Sequence, residues 1–171
     1  MDQYTKDKKV ISSALKRVTT TGAEGYDIKK EAVKLWKLLE PYHKGAPMPK
    51  VEVITRGCRV DDEGRVFSSM GGSAGWADYA KHTIFLKIAP EYETLAHELV
   101  HLAVGSRYKN GTRHAHDRVF YNAVKDILER RFKIRISFYE VSRYGYEVDY
   151  LIDRQLRELD VFRVFRKEVA K

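Results

Sequence analysis

The chain has 171 residues, enough for one domain with a core that needs no covalent staples. Hydrophobic residues at 43% and charged residues at 33% exclude a disordered chain, the apolar runs are too short to span a bilayer, and a single cysteine, Cys58, excludes an internal disulfide and a Cys-rich zinc ribbon. Net charge is +8, with about +5 in residues 1–50 and about +3 in residues 121–171, so the basic ends rather than the neutral middle would attract nucleic acid or an acidic partner.

The N-terminal stretch MDQYTKDKKVISS is charged and lacks an apolar core, which predicts no secretory signal and a cytoplasmic setting. Residues 8–18 put Val10, Ile11, Ala14, Leu15 and Val18 on one helical stripe. Thr19-Thr20-Thr21-Gly22 breaks it. A second helix fits 27–40, with Ile28, Ala32, Leu35, Trp36 and Leu39 at helical spacing and Pro41 as its stop. Pro47 and Pro49 mark a loop, and residues 50–55 alternate as a strand. Asp61-Asp62-Glu63-Gly64 is a turn between short extended pieces, and 68–75 is a Gly/Ser loop. Residues 76–79 and 83–88 are expected as two strands joined tightly at Ala80-Lys81. Pro90 opens a helix that runs through about Val104 and ends at Gly105. A polar segment at 106–113 leads to a helix at about 116–131, a strand at 134–139 and a long amphipathic helix at 147–170. This order predicts an α+β fold: an N-terminal helical extension over 1–22, a core over 23–133, and a C-terminal strand and amphipathic helix over 134–171.

The chemistry is concentrated in His97-Glu98-Leu99-Val100-His101. Residues four apart on a helix point off one face, so both imidazoles can share one Zn2+ ion. Glu98 is adjacent without being a ligand, placed to take a proton from a zinc-bound water as that water attacks a carbonyl. Leu95, Leu99, Leu102 and Ala103 would face the core. A catalytic zinc site takes three protein ligands and keeps one position open, and the downstream candidates are His114, His116, Asp117 and Glu129.

The HELVH segment, a polar loop and His116-Asp117-Arg118-Val119-Phe120 together resemble the SprT-like zincin metallopeptidases, small phage and bacterial members included. The resemblance covers about residues 50–121. It implies a zincin-like domain, a small mixed or antiparallel sheet packed on the active-site helix. It also implies that His116 is the third zinc ligand, with His114 as its rival, and that Phe120 is a packing aromatic. Asp117 stands where the family has glycine, and no cysteine zinc module follows, which weakens any carry-over of the family's role in DNA-protein crosslink repair. The family further implies that an edge strand, 76–79 or 83–88, pairs with an extended peptide. The expected activity is peptide-bond hydrolysis on a protein or peptide substrate, with possible nucleic-acid binding through the basic terminal segments and no membrane partner.

Two other readings stand beside it. Cys58 precedes the HExxH helix, as a cysteine does in peptide deformylases, although the glycine-rich segment lies on the wrong side of it. A non-catalytic zinc-stabilised protein could keep the histidines for folding and bind nucleic acid through basic helices, such as the one carrying Arg154, Arg157, Arg163, Arg166 and Lys167. Among the eleven tyrosines, Tyr108, Tyr144 and Tyr146 are candidates to stabilise an oxyanion. His43 and His82 are expected to be structural or surface residues.

Overall fold

Asp27 starts the first described helix. Its carboxylate accepts a hydrogen bond from the Lys30 amide at 2.9 Å, satisfying one of the donors that every helix leaves unpaired at its start. Helix α1 (Ile28–Leu38) then turns Ile28, Ala32, Leu35 and Trp36 into the core. The computed structural model describes residues 20–105 and 118–133, apart from residues 24, 64, 69–71 and 73. The segments expected at 8–18, 134–139 and 147–170 lie outside the described residues.

Pro41 does not simply stop a helix. The chain breaks earlier, at Leu39, because proline cannot donate to the carbonyl four residues back and its ring crowds the preceding turn. Pro41 instead sits in the first turn of a short helix, α2 (Glu40–His43), where a missing N–H costs nothing. His43 is buried there, stacked on the Trp36 indole at 4.2 Å, and its Nε2 donates to the Trp36 carbonyl at 2.8 Å.

Three strands form the main sheet: β1 (Lys50–Val53), β4 (Gly75–Asp78) and β5 (Thr83–Leu86). Their order is β1-β5-β4, with β5 central, parallel to β1 and antiparallel to β4. Between β1 and β4 in the chain, β2 (Cys58–Val60) and β3 (Val66–Ser68) make a separate antiparallel hairpin. Asp61 closes its turn by accepting from the Glu63 and Arg65 amides at 3.0 and 2.8 Å. The link between β4 and β5 occupies residues 79–82, longer than the join expected at Ala80-Lys81. His82 takes a left-handed conformation there, and its Nε2 donates to the Pro47 carbonyl at 2.6 Å.

Ile84 and Leu86 alternate inward and are fully buried, while Phe85 faces outward and stacks on Trp76 of β4. Helix α3 (Tyr92–Gly105) packs on β4 and β5 and also against α1, α2 and the last described helix, α4 (Arg118–Phe132). It is therefore buried on most of its circumference, Leu95, Leu99, Leu102 and Ala103 among the buried residues as expected. Helix α4 buries Phe120, Ala123, Val124, Ile127 and Leu128, the i, i+3, i+4, i+7, i+8 stripe of an amphipathic helix.

One polar cluster locks the helices together. Glu31 of α1 is buried, and Arg131 of α4 grips it with two hydrogen bonds at 2.8 and 3.1 Å. The Tyr92 hydroxyl, at the start of α3, donates to the same carboxylate at 2.9 Å. Burial and the Glu31 charge push the Tyr92 phenol well above its ordinary range, so it remains a donor. The described architecture is thus mixed α and β with small sheets, and no helix among the described residues is long and apolar enough to cross a membrane.

Candidate metal centre

Helix α3 places His97 and His101 one turn apart, and their rings converge. The two Nε2 atoms lie 3.0 Å from each other, with ring centroids 4.7 Å apart. Two nitrogens bound to one zinc ion at tetrahedral angles lie roughly 3.3 Å apart, given Zn–N bonds of about 2.0–2.1 Å. The pair is therefore within a few tenths of an ångström of that spacing. In the ring-to-ring hydrogen bond one Nε2 donates and the other accepts, so a tautomeric shift of the donor's proton to its Nδ1 leaves both Nε2 lone pairs open to a cation.

Phe120 backs the pair. It is fully buried, with its ring centroid 4.9 Å from that of His97 and 4.7 Å from that of His101. This is the packing position expected for it, reached because α4 crosses α3 with its apolar stripe. An apolar wall restricts the rotamers of both imidazoles and lowers the local dielectric.

Glu98 points off the neighbouring face and is only 8% exposed. Burial pushes its carboxyl up to about 7, and no described residue offsets this with a hydrogen bond or a positive charge. A buried carboxyl that titrates near neutrality is poised as a proton acceptor and donor.

A residue the sequence reading passed over stands at the end of β4. Tyr79 lies just past Asp78, its ring against Gly105 at the last turn of α3. Burial, together with the negative charge of Glu98, raises its phenol above the ordinary value. Counting tyrosines could not single it out. The available signal was its place, directly after the first strand of the hairpin that precedes the HExxH helix.

Among the described residues, strand β4 is at an edge of the sheet, whereas β5 is paired on both sides. Of the two strands named as partners for an extended substrate, 76–79 is the one with an edge that no described strand occupies. Gly75 lets that strand start close to α3: a Cβ there would lie 2.9 Å from the Phe85 carbonyl oxygen and 3.0 Å from the Thr94 methyl.

The remaining candidates separate clearly. His114, His116 and Asp117 lie outside the described residues, as do Tyr108, Tyr144, Tyr146 and the basic residues after 133. Glu129 pairs with Lys125 at 3.5 Å. Cys58 is half-buried in β2, its thiol raised by burial and donating to the Ile54 carbonyl. Among the described residues no three His, Cys, Asp or Glu side chains gather as a metal site, so neither Cys58 nor Glu129 joins His97 and His101. The open cleft lined by Lys37, Glu40, Pro41, Lys44 and Arg130 contains none of the predicted site residues. No family model, curated protein or solved structure matches the chain.

Proposed function

We propose that this protein is a zinc-dependent metallopeptidase of the SprT-like zincin kind, acting in the cytoplasm on protein or peptide substrates. The observation that carries this reading is the pairing, on one buried helix, of two converging imidazoles with a buried carboxyl that has no charge partner among the described residues. The three-stranded mixed sheet packed on that helix supports the zincin-like reading of the fold.

His97 and His101 would hold zinc, with His116 as the third ligand and His114 as its rival. When bound there, zinc supplies Lewis-acid chemistry, which acidifies water and polarises a carbonyl. Glu98 takes a proton from the water that attacks the peptide carbonyl and passes it to the leaving amine. Phe120 keeps both imidazoles in place. The edge of β4 gives an extended peptide a run of backbone donors and acceptors that does not depend on side chains.

Glu98 also separates this reading from the zinc-stabilised nucleic-acid-binding alternative. A purely structural site gains nothing from a carboxylate buried beside it without a partner, and such burial costs stability. Cys58 stands apart from the histidine pair, which disfavours the deformylase-type alternative. The test is turnover of fluorescein-labelled casein by zinc-reconstituted protein. We expect hydrolysis by wild type and none above background by Glu98→Gln at equal zinc content. Equal turnover by both proteins would reject Glu98 as the base.

A further inference from the structure

We propose that the Tyr79 phenol donates a hydrogen bond to the oxygen of the scissile carbonyl, as a catalytic residue contributed by the end of strand β4. This assignment rests on the peptidase reading above and adds a residue to that site.

The seat of the ring comes first. A Cβ at Gly105 would fall 2.1 Å from Cε1 and 2.7 Å from Cδ1 of Tyr79. No side chain tolerates that, so the ring rests on bare helix backbone that only glycine provides. Gly105 lies four residues beyond His101 and seven beyond Glu98. Seven residues make nearly two turns, about 20° short, so Gly105 shares the Glu98 face of α3. The tyrosine ring is therefore seated on the helix face that carries Glu98, one turn beyond His101 and close enough to Glu98 to feel its charge.

The hydroxyl is available for chemistry. Tyr79 is 54% exposed although its ring is pinned, and no described residue hydrogen-bonds its hydroxyl. Burial and the Glu98 charge both oppose ionisation, so the phenol keeps its proton at neutral pH and acts only as a donor. It also stands where a substrate would pass. A peptide paired to the edge of β4 that no described strand occupies runs alongside Trp76, Ala77 and Asp78 and leaves the strand at Tyr79.

The step balances without another reactant. The water oxygen bonds to the carbonyl carbon, and the carbonyl π pair moves onto its oxygen, where the Tyr79 O–H donates without giving up its proton. One water proton passes to Glu98. The C–N bond then breaks, and that proton goes to the amine nitrogen.

The experiment compares Tyr79→Phe with wild type, both zinc-reconstituted, using fluorescein-labelled casein. Phenylalanine keeps the ring on Gly105 and removes only the hydroxyl. We expect kcat to fall on the order of 10- to 100-fold, with KM nearly unchanged. Binding of labelled casein to the Glu98→Gln and Glu98→Gln/Tyr79→Phe proteins, followed by anisotropy, should agree within about twofold, and zinc content should be equal throughout. A second variant, Gly105→Ala, displaces the ring and should lower kcat similarly, with little further loss when combined with Tyr79→Phe. Unchanged kcat in Tyr79→Phe would overturn the assignment and leave the peptidase reading intact. A loss confined to KM and binding would also overturn it, making Tyr79 a wall of the groove. A zinc-loaded wild type without turnover would overturn both.

Discussion

Two glutamates, Glu31 and Glu98, are buried to nearly the same degree, at 3% and 8% exposure, and they meet opposite surroundings. Glu31 is held by both guanidinium hydrogen bonds of Arg131 and by the Tyr92 hydroxyl. Its charge is met on every side, and it ties α1, the start of α3 and α4 into one unit. Glu98, six residues along α3 from Tyr92, has no such partner among the described residues, and burial drives its carboxyl to about 7. A buried carboxylate so fully satisfied and another left without a charge partner among the described residues differ as a structural and a proposed catalytic group would. The paired carboxylate holds the helices; the other has no charge partner among the described residues.

Substitution can sharpen that contrast. The largest effect is expected in activity: Glu98→Gln should cost on the order of 10²- to 10⁴-fold in casein turnover, because it removes the proposed general base and keeps the shape of the side chain. At the other glutamate the effect should be on stability. Arg131→Met leaves Glu31 buried and uncompensated, and should lower unfolding free energy by about 3–5 kcal/mol in urea titrations, with residual turnover per folded molecule retained. If Arg131→Met were harmless, the cluster would not be the clamp it is taken for.

The smallest effect concerns pH. In the metal-free protein the folded state holds the Glu98 proton up to about pH 7, whereas an unfolded chain releases it near 4.5. Folded protein therefore binds more protons between those values, and stability must fall as pH rises through the window, by up to roughly 3 kcal/mol, and level off above it. Glu98→Gln should lack this slope and be the more stable protein at pH 8. Parallel pH profiles of the two proteins would contradict the burial of an unpartnered carboxyl.

Much of the frame was legible from local pattern. The i, i+4 histidines, the core side of α3 and the order of helices and strands all follow from spacing along short stretches, which is what helical and strand periodicity encode. Phe120 was named from a motif and lies behind both histidines. What escaped was contact between distant residues. Glu31 and Arg131 are one hundred positions apart, and neither stands out from the other charged residues of its helix. Gly105 was read as a helix stop, yet its missing side chain serves the Tyr79 ring. The lateral order of the strands within the sheet was equally hidden, although the apolar Ile84-Phe85-Leu86 of β5 and the Asp78 that ends β4 fit a central and an edge strand in retrospect. Pro41 showed that a proline marks a boundary without saying whether helix resumes after it.

The most direct test of the central claim is the zinc content of wild type, His97→Ala, His101→Ala, His116→Ala and Glu98→Gln, purified and reconstituted identically and measured by elemental analysis. We expect about one zinc per chain in wild type and Glu98→Gln, and its loss in each histidine variant. Zinc-free wild type after reconstitution, or zinc retained in both His97→Ala and His101→Ala, would contradict a metal centre on this helix.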